Sequence, residues 1–417
     1  MGEETAMTTG NGRPGPLAGL RVVDFTHVLA GPAAAYFLAL LGAEVIKVET
    51  AHRGDCTRVR GGTDKDRAAR AMSTSYLTQA GGKRSIAVDL SNAEGRLVMT
   101  ELLKRADVFV ENHRPSLLAR LELDYAAVST INPAIIHCAM TGYGRHGPKE
   151  DAPAYDVNIQ AACGLMTMTG AAGAGPTRAG APIMDYGTAM AAGFAISTAL
   201  FERERTGAGT FIDVSMLETA MMLMSSSVTD YLATGNAPTQ RGNAANSRSP
   251  AAGSFETKAG LISLGVNEEH QFHALARVLG RTEWLSDPRF TDRATRTANA
   301  DALEAMLLES LAERTAVKWE AAMQAGGVPA ARVRTLPEAL DDPQIGARNY
   351  LHGYGGEGDA AVTVPTLPFR IGGRDVHATD LAPPRRGEHS TEILRELQLT
   401  EARIGQLLAD GIVEQAG

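Results

Sequence analysis

The chain has 417 residues, against about 150 for a typical domain, which gives room for two or three domains and a sizeable buried core. Hydrophobic residues make up 44% and charged residues 21%, which excludes disordered and collagen-like classes. Forty Lys plus Arg against 48 Asp plus Glu give a net charge of −8 with no basic run, so general nucleic-acid binding is excluded too. The three cysteines, Cys56, Cys138 and Cys163, form neither a paired framework nor metal-ligand spacing, and they fit a reducing cytoplasm.

Residues 1–16 are polar and lack an apolar h-region, so they read as a loose tail rather than a signal peptide. From Leu20 the chain runs LRVVDFTHV, AGP, AAAYFLALLGA and EVIKVE: strand, tight loop, helix, strand. SIAVDL is a third strand, NAEGRLVMTELLKRA an amphipathic helix with Asn92 as its cap, and DVFVEN and AIIHCAM are further strands. Strands alternating with helices predict a parallel sheet covered on both faces. Helices are predicted at Asp156–Met168 and Tyr186–Arg205, then a strand at TFIDVSM and a Met-rich helix from Leu217 to about Leu232. The apolar run Met184–Leu200 is Ala- and Gly-rich and too short to span a bilayer, so no membrane association is expected. The composition shifts to turn formers between Thr234 and Pro250, which places a domain boundary there. The expected organisation is a large domain from 17–233 and 335–417, built from both chain ends, with a smaller α+β domain at 234–334.

Three groups of residues are candidates for chemistry. The loop Thr26–Pro32 follows the first strand, at the sheet edge where ligands gather. It lacks the glycine spacing of a dinucleotide fingerprint, and the residues alone favour a plain strand-to-helix turn with a satisfied histidine. Asp185 opens an Ala/Gly-rich helix: it is either a cap or a desolvated nucleophile kept ionised by the helix N-terminus. Arg58, Arg60, Lys83, Arg84, Arg114 and Arg120 stand mostly in loops beside predicted strands, as solvated surface or as phosphate ligands.

The ordered set LRVVDFTHVLAGP, GAEVIKVE, KRSIAVDL, DVFVENHRP, TGYGRHGP, PAYDVNIQAACGLM, the Asp185 segment and GEHSTEIL resembles the class III CoA-transferases, the group containing formyl-CoA transferase, carnitine CoA-transferase and α-methylacyl-CoA racemase. The resemblance runs from about Leu17 to Val413. It implies an α/β fold with a Rossmann-like large domain, an interlocked obligate homodimer, and CoA thioesters as substrates with no permanently bound cofactor and no metal. Asp185 matches the catalytic aspartate, which passes through a mixed anhydride and an aspartyl-CoA thioester. The CoA contacts fall on His27, Val28 and Ala30 for the adenine and ribose, on Lys83, Asn112, His113 and Arg120 for pyrophosphate and pantetheine, and on Tyr155 near the reacting carbonyl. Thr50 stands where formyl-CoA transferase has an arginine, so a phosphate contact there is either lost or supplied by Arg53 or Arg58. The N–H of Gly187 is an expected oxyanion donor. Tyr155, Asp156, Val157 and Asn158 stand where the racemase branch has His-Asp-Ile-Asn, and a tyrosine is a poor exchanger of an α-proton near neutrality. Transfer to a carboxylate is therefore favoured over racemisation and over a non-catalytic CoA-binding role. RGNAANSRSPAAGSF resembles the branch using succinyl-CoA and dicarboxylic acids, with Arg241 or Arg248 as the clamp on the distal carboxylate.

Overall fold

The computed structural model describes residues 14–355, 361–376 and 380–416, so residues 1–13 of the expected tail lie outside the described residues. The chain forms two compact units. The first comprises Met1–Leu165, Arg178–Ala237 and Gln344–Gly417, and the second Met166–Thr177 and Pro238–Pro343. The sequence boundaries at 234 and 335 fall near these divisions, but residues 166–177, read as part of the large domain, group with the second unit.

Six strands of the first unit run parallel: β1 (Arg21–Phe25), β2 (Glu44–Thr50), β3 (Lys83–Val88), β4 (Val108–Glu111), β5 (Ile136–Thr141) and β6 (Thr210–Ser215). Their order is 3-2-1-4-5-6, extended beyond β3 by an antiparallel strand from the chain's end, Val413–Glu414. Alternation along β1 explains the layering: Val23 and Phe25 face one side, Val22 the other. The first side packs Ile46, Ile86 and Phe109 against Val98 and Leu102 of the helix Ala93–Lys104 and Leu394 and Leu407 of the C-terminal helices. The second packs Val45 and Val108 against Ala34 and Leu38 of α1 (Ala30–Leu40) and Ala189, Ala192 and Ile196 of the 24-residue helix Ile183–Thr206. Alanines at these positions let the two helices approach the sheet and each other closely. Asn92 caps its helix as expected, accepting the Glu94 N–H at 2.9 Å.

Three helix boundaries differ from the sequence expectation. The helix from Asp156 stops at Ala162, where Gly164 turns the chain with φ +89°. The Met-rich stretch is two helices, Met216–Leu223 and Ser225–Thr234. The long helix begins at Ile183, three residues earlier than expected, which decides the role of Asp185 below.

The second unit holds a three-stranded antiparallel sheet, Ala252–Glu256, Leu261–Gly265 and Ala330–Arg332. Trp284, Trp319, Phe272 and Phe290 fill its core beneath the helices Glu269–Leu279, Ala300–Leu311 and Ala316–Ala325.

Candidate active site

The strand order reverses between β1 and β4, and in open α/β sheets ligands bind outside the carboxyl ends of the strands at that reversal. An open cleft of about 530 Å³ lies there in the first unit, within the size range of small-molecule sites. His27–Ala30 after β1, Asn112–Arg114 after β4 and Thr141–Gly142 after β5 contribute to its walls, and Asp185 lines it as well. The tight turn into α1 depends on Gly31, where a Cβ would stand 2.5 Å from the Cβ of Thr26.

Asp185 is the third residue of the long helix, not its cap. Capping falls to Asp156, whose Oδ2 accepts the N–H groups of Met184 at 2.7 Å and Asp185 at 3.3 Å. Gln160 steadies Asp156 through a 2.6 Å bond to Oδ1. The Asp185 carboxyl is thereby freed from backbone duty, and among the described residues it accepts no hydrogen bond. Half-burial and then the nearby Asp156 charge raise its pKa from the usual carboxylate range to about 7. This corrects the expectation that the helix N-terminus keeps it fully ionised at neutral pH. The capping role of Asp156 is not visible in the local sequence, because it stands 29 residues from Asp185.

Of the other expected site residues, His27, Val28, Ala30, Asn112, His113, Arg120 and Tyr155 all line the cleft. His27 and His113 stack with ring centroids 4.8 Å apart. Burial, above all, lowers both pKa values, that of His113 to about 3 with His27 as the next cause. At neutral pH the pair presents uncharged rings, so positive charge at the cleft comes instead from Arg120 and Arg114, both exposed. Tyr155 is 63% exposed and is held by its N–H to Asn158 Oδ1 at 3.0 Å.

Three expectations need correction. Lys83 is fully buried, with Nζ 2.8 Å from Asp24 Oδ2 and 2.8 Å from the Pro32 carbonyl. Arg58 is equally buried, held by both carboxylate oxygens of Glu49 at 2.7 and 2.6 Å and by Tyr76 Oη at 2.7 Å. Neither lines the cleft; both are cations paired inside the first unit, Lys83 at the start of β3 and Arg58 in a short turn that folds inward, which their local sequence did not reveal. Gly187, the fifth residue of its helix, has its N–H within the i-to-i−4 ladder. Its lack of a side chain serves packing, since a Cβ would stand 3.1 Å from Leu223 Cδ1. Arg241 and Arg248 belong to the second unit; among the described residues neither forms an ion pair, and Arg248 has the left-handed φ of +58°.

Among the described residues no cluster of His, Cys, Asp and Glu is arranged to hold a metal ion, and no helix is long and apolar enough to cross a membrane.

Comparison with known proteins shows the family. The profile of CoA-transferase family III matches residues 17–390. The chain is 36% identical over 397 residues to the acetyl-CoA:oxalate CoA-transferase of Acetobacter aceti, covering 93% of this chain and 97% of that protein. It is 33% identical over 405 residues to the succinyl-CoA:glutarate CoA-transferase of Homo sapiens, covering 96% and 90%. Among solved structures, a CAIB/BAIF family protein from Brucella suis superposes with a TM-score of 0.80 at 33% identity, covering 92% of this chain and 99% of that one.

Proposed function

The chain belongs to CoA-transferase family III, and we propose that it moves CoA from succinyl-CoA or a similar acyl-CoA to a small dicarboxylic acid through covalent intermediates on Asp185. The observation that carries this reading is the placement of an unencumbered carboxyl in the cleft, with a second acid holding the helix in its stead. In the first step an Asp185 oxygen attacks the donor's thioester carbonyl. The C–S bond breaks, CoA leaves as thiolate, and a mixed anhydride remains. The thiolate then attacks the Asp185 carbonyl carbon, releasing the donor acid and leaving an aspartyl-CoA thioester. The acceptor carboxylate attacks that thioester and the thiolate returns to the acceptor's acyl carbon, regenerating Asp185. No net proton is consumed, so the site needs no dedicated acid or base. A carboxyl with a pKa near 7 gives a more basic carboxylate than a surface aspartate while remaining substantially ionised at neutral pH.

Donor and acceptor classes rest on the relatives, which are named for succinyl-CoA with glutarate and acetyl-CoA with oxalate. Arg241 or Arg248 is the proposed clamp on the acceptor's distal carboxylate; an acceptor KM unchanged in both Arg241→Ala and Arg248→Ala removes it. The working form is a homodimer, in the interlocked arrangement. The helix Ile183–Thr206 leaves Met190, Phe194 and Phe201 exposed at 58%, 77% and 64%, an apolar stripe that a second copy would cover. A stable folded monomer in light scattering at dilute concentration overturns that part.

The decisive experiment is intact-protein mass spectrometry after incubation with succinyl-CoA, acetyl-CoA or glutaryl-CoA, with hydroxylamine or borohydride trapping, on wild type and Asp185→Ala. A CoA-sized adduct or a trapped aspartyl derivative in wild type alone is the expected result. No adduct with any donor refutes the covalent mechanism.

A further inference from the structure

The short segment Thr26–Val28, between β1 and α1, is held in an unusual way: each of its six backbone amide groups pairs with a side chain. The Thr26 N–H donates to Asp24 Oδ1 at 3.1 Å, and Lys47 Nζ donates to the Thr26 carbonyl at 3.0 Å. Asn112 takes the His27 N–H on Oδ1 at 2.9 Å and donates Nδ2 to the His27 carbonyl at 2.8 Å. Asp55 Oδ1 accepts the Val28 N–H at 3.3 Å, and Gln79 Nε2 donates to the Val28 carbonyl at 3.0 Å. Asp24, Lys47, Asp55 and Gln79 are all buried.

What this cradle holds is strained. Val28 has φ +71°, the left-handed region that a β-branched side chain strongly disfavours. Such a conformation persists only where the surroundings over-determine it, and it clusters at functional clefts. Both Val28 and its neighbour His27 line the cleft, so the strain shapes the wall that a ligand meets.

The five cradle side chains are not equivalent. Asp55 also pairs with Lys47 at 3.2 Å and caps the turn at Thr57, and Lys47, Asp24 and Lys83 are knit into the same buried charge network. Gln79 lines a small internal void together with Lys47, Asp55 and Lys83 but makes no hydrogen bond to them: its amide donates to Val28 and, at 3.5 Å, to the Ser75 carbonyl.

We propose that Gln79 is a positioning residue that, through the Val28 carbonyl, locks the left-handed turn of the cleft wall and so preorganises the surface that binds the CoA portion of the substrate. This rests on the acyl-CoA reading above. Preorganisation lowers the ordering cost of binding; without the Gln79 bond Val28 relaxes toward extended backbone and the wall must be rebuilt each time CoA binds.

The test uses the full chain, with CoA affinity by titration calorimetry and steady-state kinetics, for wild type, Gln79→Leu, Val28→Gly and the double variant. Gln79→Leu is expected to weaken CoA binding about tenfold, the size of one net hydrogen bond, and to raise the acyl-CoA KM in step, with kcat and the acceptor KM nearly unchanged. Glycine adopts positive φ without strain, so in the Val28→Gly background the same substitution should cost less than about threefold. Gln79→Met, close in volume, serves the same comparison if the leucine variant fails to fold. CoA binding within twofold of wild type in the Gln79 variant, or an equal loss in both backgrounds, overturns the proposal while leaving the CoA reading intact. Wild type that binds no CoA overturns both.

Discussion

Asp156 Oδ2 accepts the backbone N–H groups of Met184 and Asp185 at 2.7 and 3.3 Å, so one acid caps the helix on which the other acid waits. The pair divides two jobs that a single aspartate at a helix start cannot do at once. Replacing Asp156 by Asn keeps an acceptor at the cap but removes a like charge from beside Asp185. Its melting temperature should stay close to wild type, while the acid limb of kcat/KM, set by Asp185 near pH 7, moves to lower pH. Asp156→Ala loses the cap as well and should cost about 1 kcal/mol of stability. A limb that stays in place in Asp156→Asn would show that the charge of Asp156 does not reach Asp185.

The raised pKa of Asp185 also makes a stability prediction. The folded state holds the proton up to about pH 7, whereas the unfolded carboxyl releases it near pH 3.9. Between those values the folded state binds more protons, so this group lowers stability as pH rises. Asp185→Asn, which cannot ionise, escapes that loss. Its melting temperature relative to wild type should climb from pH 4 to pH 7 and level off above, read by calorimetry across a pH series; a gap that is flat with pH contradicts the shift.

The buried cations separate from the exposed ones by what their loss disturbs. Arg58→Ala leaves Glu49 as an unpaired charge in the interior, a change that typically costs about 3–5 kcal/mol, so the expected outcome is a large fall in melting temperature. Arg120→Ala removes an exposed cation at the cleft. It should leave the melting temperature alone, raise the acyl-CoA KM severalfold, and flatten the dependence of that KM on salt. An Arg58→Ala protein of native stability with a raised KM would return Arg58 to the binding site.

Much of this was readable from the sequence, and for identifiable reasons. The sheet was legible because Val22, Val23, Val45 and Ile46 carry a strand signal strong enough to survive without partners. The residues around Asp185 left cap and nucleophile both open, and only the ordered motifs shared with the class III CoA-transferases singled it out as the nucleophile candidate. Contacts between residues distant in the chain were not legible: the cap from Asp156 to Met184, the inward fold of Arg58 onto Glu49, and the burial of Lys83 against Asp24. A loop arginine has the same local sequence whether it meets solvent or an interior carboxylate. The positive φ of Val28 was invisible for a sharper reason, since propensity argues against that conformation and only the surrounding side chains impose it.

The stacked histidines yield a last prediction, one of opposite sign to that of Asp185. Burial first, and then His27, hold the pKa of His113 down at about 3, whereas an unfolded histidine titrates near 6.5. Between pH 3 and 6.5 the unfolded state binds the extra proton, so His113 lowers stability as pH falls through that window and contributes nothing unfavourable above it. His113→Phe keeps an aromatic ring against Phe25 and His27 but cannot take up a proton. The variant should match wild type in melting temperature at pH 7.5, exceed it increasingly toward pH 4, and bind CoA within about threefold of wild type at neutral pH, since the neutral imidazole offers the ligand a ring rather than a charge. A loss of CoA affinity well beyond that, growing as salt is lowered, would mean that His113 meets the ligand as a cation after all.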